Sequence, residues 1–451
     1  MSDSSLDRRV VGAWSLYDFA NQTFTTLVVT FVYATFFTEV IATDSVTGTT
    51  QWSWAVAISA ILVAGLSPYL GAMADRGGYR KRFLFVATVV CIAGSVALYF
   101  PTEGEVLFAL SVFVVANVAF EISYVFYNAF LPEIASSKNM GRVSGIGWFV
   151  GYIGGLLGLI VALFVFVFPE PPLFGMNPDT GQHIRATNLL VAVWYAVFAI
   201  PLFLVVPEPK RGLLDVDEND GLIRATNRQL KSTFQSIRRY KNTFWLLAAR
   251  FFYNDGIVTI FAFGGIYAAG TFGFTTEEII IFGIVLNVAA GLGAFAFGYI
   301  DDWIGAKPTI LISIVGISGA VILAAAAPTE AWFWVAGILL GLLVGPNQAS
   351  SRSLMARFTP PTKENEFFGF FAFSGKLTAF MGPLLLGWFT SVFASQRIGI
   401  TTVLFFFVVG GALLLRVDED EGIRMAEELP PDVEADDIDA ARVDDTTGSS
   451  Q

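Results

Sequence analysis

Five ionisable side chains stand inside stretches that are otherwise apolar: Asp18, Glu121, Arg250, Asp255 and Lys376. A charge at the centre of a bilayer costs roughly 2.5–3.5 kcal/mol even on the lenient insertion scale, so such a group marks a solute path, a proton relay or a buried ion pair. Their neighbours keep the helical period. Asp18 is followed by Asn21 and Thr25 on one face, and Glu121 shares a stripe with Asn117, Tyr124 and Asn128. Arg250 and Asp255 have Asn254 and Thr259 one turn further on, and Asn347 and Gln348 add polar groups to another apolar run. At helical spacing such stripes read as the walls of a water-facing cavity. The same groups could instead form a buried network that fastens helices together. If helix packing brought them into one chamber, these carboxylates, amides and ammonium would suit a small solute with separated charges. Burial raises the proton affinity of a carboxylate, so one of the three acids is expected to titrate within reach of neutral pH. Asp18 is the first candidate, because no basic residue lies between Arg9 and Arg76.

Long apolar elements must position these groups. Of 451 residues 55% are hydrophobic and only 14% charged, against roughly 25% charged in a soluble domain. One cysteine, Cys91, and one histidine, His183, exclude a disulfide framework, a thiolate zinc site and a Ser-His-Asp device. No metal or cofactor is expected, and no enzyme. A net charge of −11 without a basic stripe excludes nucleic acid as a partner. Twelve runs of about 20 apolar residues appear, at about 10–41, 52–74, 83–101, 105–130, 143–168, 188–207, 243–270, 277–300, 308–327, 331–354, 366–394 and 399–416. The first is too long for a signal peptide and is expected to be a retained helix. None has the alternation of a membrane barrel, so the expected class is an all-α membrane protein.

Basic residues alternate between loops. Arg76, Arg80, Lys81 and Arg82; Lys138 and Arg142; Lys307; and Arg352, Arg357 and Lys363 share one side with the basic stretch 208–242, whereas the other loops hold Arg185 and Arg397. Both termini are therefore expected in the cytoplasm. The entire net charge lies after residue 417, where 13 acids face two arginines. That segment, 417–451, is expected to be a solvated, disordered tail. The low isoelectric point, near 4.7, with 19 arginines against eight lysines points to a high-salt cytoplasm, and the acidic composition points to a prokaryotic cell membrane. The chain also repeats: Gly71, Asp75, Gly78 and Arg80 recur 227 residues later as Gly298, Asp302, Gly305 and Lys307. A period of half the membrane portion indicates two like-oriented bundles, 1–207 and 243–416, joined by a linker. With only Lys307 as its base, the second copy is expected to make the weaker charge gate.

The segment Gly71-x-x-x-Asp75-Arg76-x-Gly78-x-Arg80-Lys81 resembles the loop 2–3 signature of the major facilitator superfamily. Further stretches, Ala13-Trp14-Ser-Leu-Tyr17-Asp18-Phe-Ala-Asn21, Phe126-Tyr127-Asn128 with Pro132-Glu133, Gly145-Ile-Gly147-Trp148, and Glu366-Phe-Phe-Gly369 with Gly375-Lys376 and Gly382-Pro383, resemble the branch that holds the autophagy-linked vacuolar amino-acid effluxers and their prokaryotic relatives. The resemblance implies two pseudo-symmetric six-helix halves, with helices 1, 4, 7 and 10 lining a cavity. It also implies that Asp75 lies beside the N-terminus of helix 11 and that the signature residues, Gly71 among them, form a gate. The function expected is alternating-access transport of an amino-acid-like solute, outward in direction, with protons as the coupling ion. A drug or sugar exporter and a non-transporting receptor are the alternatives. The expected partners are the bilayer, the small solute and protons, and the expected assembly is a monomer.

Overall fold

Lipid offers no hydrogen bonds, so apolar runs of this length satisfy their backbone groups internally as helices. The computed structural model describes residues 7–77, 79–208, 222–235, 240–377 and 380–428, and among these there are helices and no strand. The first half contains α1 (Arg8–Ile41), α2 (Ser45–Gly77), α3 (Arg80–Ala97), α4 (Val106–Asn128), α5 (Met140–Val161) and α6 (Thr187–Val205). A connecting helix, α7 (Leu222–Gln235), follows. The second half contains α8 (Lys241–Phe272), α9 (Thr276–Ile304), α10 (Ala306–Ala326), α11 (Glu330–Arg357), α12 (Glu364–Lys376), α13 (Met381–Phe393) and α14 (Val403–Leu414).

Eleven helices among the described residues are long and apolar enough to cross a membrane, rather than the expected twelve. The exception is α3, whose 18 residues begin with Arg80, Lys81 and Arg82. Its apolar part is about 15 residues, or about 22 Å at 1.5 Å per residue. The expected eleventh span, Glu364–Phe393, is one of these eleven, and residues 378–379 within it lie outside the described residues. Its described parts are α12 and α13, and Lys376 is the last residue of α12.

Glycine brings the halves together. α5 carries a glycine at nearly every turn, and each removes a side chain where another helix passes. A Cβ on Gly154 would lie 2.2 Å from the Phe19 carbonyl oxygen of α1, and one on Gly145 would lie 2.4 Å from that of Ala294 in α9. Such close backbone approach replaces the hydrophobic drive that lipid does not supply. α5 is thereby wedged between its own half and the other. α1 departs from the α-helical ladder at Phe24–Phe31, where Val32 N donates to Leu27 O five residues back. One turn widened in this way re-aims the side chains after it.

The acidic segment after residue 417 does not begin as a free tail. α15 (Glu419–Glu428) is a helix docked at the basic end of the second half. The Glu419 carboxylate accepts from the backbone amides of Ala306 and Lys307, both at 2.9 Å, and so caps the first turn of α10. Gly305 precedes that turn at φ 97, a conformation that costs glycine nothing. Glu421 accepts from Asn242 at 2.8 Å and pairs with Lys241 at 3.0 Å, at the start of α8. The expected disorder therefore fails for 419–428, because the carboxylates have helix amides and cations to meet. The remainder, 429–451, lies outside the described residues. The expected linker likewise contains α7, where Gln229 donates to Glu366 at 2.6 Å.

Two outcomes follow for α15. Glu419→Ala removes a cap worth about 0.5–2 kcal/mol. Its melting temperature should drop below wild type, whereas truncation after Glu428 should leave it unchanged. The Asn242 hydrogen bond, and then Lys241, hold the Glu421 carboxyl below its usual range. A group depressed in the folded state stabilises fully above its unfolded value and loses that contribution as pH falls through the folded value. The protection of the α15 amides, corrected for the pH dependence of intrinsic exchange, should therefore fall on acidification, and Glu421→Gln should blunt the response.

Candidate functional site

The charges converge where the two halves meet. Asp75, in the last turn of α2, accepts from the backbone amides of Asn365 at 3.0 Å and Glu366 at 2.8 Å, the second and third residues of α12. Asp302, 227 residues on, holds the same two positions of α5: Gly141 N at 2.8 Å and Arg142 N at 3.2 Å. Each carboxylate thus sits on a helix N-terminus of the opposite half, where the amide dipoles favour negative charge. Glycines permit the approach. A Cβ on Gly71 would lie 2.2 Å from Asn365 O, and one on Gly298 would lie 2.9 Å from Gly141 O.

The bases diverge between the two copies. Arg80 crosses the boundary, donating to Asn365 Oδ1 at 3.1 Å and reaching Glu364 at 3.2 Å, while its Nη1 meets Glu133 at 2.6 Å. Lys81 stays in its own half, with Nζ on Phe203 O at 3.2 Å. Lys307 also stays, with Nζ on Val417 O at 2.6 Å. Arg357, at the end of α11, supplies the missing cation. It pairs with Asp301 at 2.7 Å, Asp302 at 3.4 Å and Glu419 at 3.4 Å, and its Nε donates to Ser137 O of the other half. A count of local bases therefore underrates the second copy, because its cation arrives from a different helix. Gly78 and the side chain of Arg76 lie outside the described residues.

Asp18 is not a carboxylate without a base. Arg352 of α11 reaches across the boundary to its Oδ2 at 3.1 Å, and Tyr127 Oη donates to the same oxygen at 2.8 Å. Both charged side chains are 1% exposed. The rest of the guanidinium is satisfied by Asn128 Oδ1 at 3.2 Å, Ser144 Oγ at 2.9 Å and Ser144 O at 2.7 Å. Trp14, Tyr127 and Trp148 surround it at 4.9, 5.9 and 5.6 Å from their ring centres. Planar, multiply donating and weakly hydrated, arginine suits a dry aromatic cage better than lysine does. Gly147 makes the room, since its Cβ would lie 2.8 Å from Arg352 Nη2. Burial turns Asp18 from a free carrier into half of a lock between the halves.

A second pair bridges the halves in a wetter place. Lys376 Nζ lies 2.5 Å from Glu121 Oε1, with side-chain exposures of 32% and 19%. Close by, Asn254 donates to Gly375 O at 3.2 Å and accepts from Gln348 at 3.2 Å. Arg250 does not reach for the membrane surface. It donates to Phe371 O at 2.7 Å and to Ser374 Oγ at 3.2 Å, lying over the Phe371 ring. Asp255 accepts from Gly382 N at 2.9 Å at the start of α13. Asn347 turns away from this group toward Ser313 of α10, at 2.9 Å. Asn21 and Asn117 are buried, and the Tyr124 ring lies tilted beside that of Tyr127, 5.6 Å between centroids. The structure thus gathers Glu121, Lys376, Asn254 and Gln348, and assigns Asp18, Tyr127 and Asn128 to the lock.

Helices of two repeated halves, joined face to face by charge at one end, define a membrane transporter of the major facilitator type. Solved structures share the fold: the proton:xylose symporter XylE (TM-score 0.73, 14% identity, 94% of this chain and 99% of that one) and the human organic anion transporter MFSD10 (TM-score 0.70, 14% identity, 91% and 100%). The chain belongs to the family described as "Vacuole effluxer Atg22 like", which matches residues 33–427. It is 28% identical over 411 residues to the uncharacterized MFS-type transporter YxiO of Bacillus subtilis (strain 168), covering 90% of this chain and 94% of that protein. It is 24% identical to autophagy-related protein 22-1 of Penicillium rubens, covering 83% and 75%.

Asp75→Asn should weaken the α12 contact by about 0.3–2 kcal/mol, a roughly 2- to 30-fold shift toward opening at the basic end. Cys91, the native cysteine, is buried, so thiol labelling of an Ala349→Cys protein reads this with little background. Labelling should quicken in Asp75→Asn, and an unchanged rate contradicts the assignment. Arg352→Ala strands a buried carboxylate and should cost about 3–5 kcal/mol of folding stability. Adding Asp18→Asn should restore part of that loss.

Proposed function

We propose that this protein is a secondary active transporter that exports a small amino-acid-like solute through a prokaryotic cell membrane by alternating access. The observation that carries this reading is the Glu121–Lys376 pair, which joins the halves while remaining partly exposed. A zwitterion entering between them offers an ammonium to Glu121 and a carboxylate to Lys376. Each charge of the pair then finds a partner in the solute instead of in the other half. Neither charge is stranded, and the bridge is released. A neutral sugar would have to separate the pair without replacing either charge, and a lipophilic cation could replace only one. Binding and rocking are thus linked, because the groups that recognise the solute also hold the halves together. Asn254 bonds the carbonyl of Gly375, next to Lys376 in the chain, and Gln348 bonds Asn254, so both amides are placed to orient the solute's polar atoms.

The basic end is the cytoplasmic end on the charge rule for loops. On that assignment Asp75, Arg80, Asp302 and Arg357 form the inner gate, and the state described is closed toward the cytoplasm. A monomer in the bilayer is sufficient, since both halves of the site come from one chain.

Proteoliposomes loaded with unlabelled alanine should take up labelled alanine by counterflow, and liposomes loaded with glucose should take up no labelled glucose. Lys376→Ala removes a charge-assisted hydrogen bond of about 1.5–3 kcal/mol and should raise the half-saturating alanine concentration about 10- to 100-fold. Counterflow of glucose, or alanine counterflow with unchanged saturation in Lys376→Ala, contradicts this reading.

A further inference from the structure

Asp255 is the acid that the lock, the gate and the bridge leave unused. Its side chain is buried in α8 at 1% exposure. Oδ2 accepts from the amide of Gly382, the second residue of α13, and Oδ1 is buried without a hydrogen-bond partner among the described residues. Asp18 and Glu121 each face a cation from the other half. Asp255 forms no ion pair among the described residues.

The charged groups on the helices packed around it are engaged elsewhere. On α8 itself, Arg250 holds Phe371 O and Ser374. On α12, Lys376 holds Glu121, and Glu364 meets Arg80 at the basic end, where Glu366 accepts from Gln229. On α11, Arg352 holds Asp18, Arg357 holds Asp301 and Asp302 of α9, and Glu330 accepts from Trp334. Glu277 and Glu278 lie in the first turn of α9, at the opposite end from Asp301. Arg397 holds Ala325 O, and Glu419 and Glu421 of α15 hold the starts of α10 and α8. Tyr253 bonds Ser351, and Tyr267 donates to Ala324 O. α13 and α14 contain no titratable side chain.

An ionised carboxylate here has one amide and the N-terminal dipole of α13 to offset its charge, and nothing more among the described residues. Its open oxygen is where a proton would go. The contact is also mechanical. A Cβ on Gly382 would meet Thr259 Oγ1, so the start of α13 lies flush against α8 one turn from Asp255. Any shift of α13 against α8 takes the amide from the carboxylate, and the bare group then binds a proton more readily.

We propose that Asp255 is the proton carrier of the transport cycle: ionised while docked on the α13 N-terminus, protonated on Oδ1 when that amide withdraws. One proton is bound from one side and released to the other, with no bond made or broken in the solute. The inference rests on the transporter reading, but its first test needs no solute. In pH-difference infrared spectra of the protein in liposomes, a buried carboxyl C=O band should appear on acidification. It should be absent in Asp255→Asn, remain in Asp18→Asn, and titrate at a displaced pH in Asp255→Glu. A band that survives in Asp255→Asn overturns the assignment. In the second test, a dye inside the vesicle reports protons during alanine entry. Proton movement should accompany alanine in wild type and be lost in Asp255→Asn. Proton movement that persists in the variant, or wild-type entry driven by a sodium gradient instead, overturns it as well. Absence of alanine entry in wild type would sink the solute reading and leave the infrared result to stand or fall alone.

Discussion

The Asp18–Arg352 pair is the interaction on which the rest depends. A guanidinium buried at 1% exposure between two halves of a membrane protein must find an anion and several acceptors, or the halves do not close. Much of the local sequence serves this need. Trp14 and Tyr17 flank Asp18 on α1, Tyr127 and Asn128 end α4, and Gly147 with Ser144 clears and lines the space on α5. The pair joins residues 334 apart, one from each half. Opening the basic end means separating them, and in a dry cage that separation is costly unless protons, water or solute enter as the halves part.

Around this centre one device recurs: a carboxylate from one helix placed on the exposed amides that begin another. Asp75 holds α12, Asp302 holds α5, Glu419 holds α10 and Asp255 holds α13. The first two cross between halves and occupy equivalent positions of the repeat, so the closed end is fastened twice by the same chemistry. The last two stay within the second half. Such contacts suit a moving part. They are directional and individually modest, and their loss exposes groups that water can satisfy.

The repeat, the all-helical class and the set of intramembrane charges were legible because each is local or periodic in the chain. The position of Asp75 at the start of α12 was legible through the signature motif. Arg352 was not. It stands in the polar run Ala349-Ser-Ser-Arg-Ser near the expected end of a span, where a basic residue reads as a loop charge. Its partner is decided only by the packing of the two halves. The same long-range packing gave Asp18 a cation although its own stretch of sequence has none. It also turned Asn347 toward Ser313, a choice of helix face that spacing alone leaves open. The acid-rich end misled for a different reason. Composition weighs Glu419 and Glu421 as solvated charge, whereas their worth comes from unpaired amides and cations on α10 and α8.

The central claim is that charge across the boundary holds the basic end closed. Spin labels at Lys138, at the start of the α5 side, and at Trp303, near the end of α9, flank that boundary on exposed positions. Pulsed dipolar spectroscopy in nanodiscs should give one short, narrow distance in the wild type. In the doubly labelled Arg352→Ala protein a second, longer distance should appear and dominate, as the stranded Asp18 disfavours closure. A distribution that stays short and single in that variant would contradict the account, because the halves would then be held by packing alone.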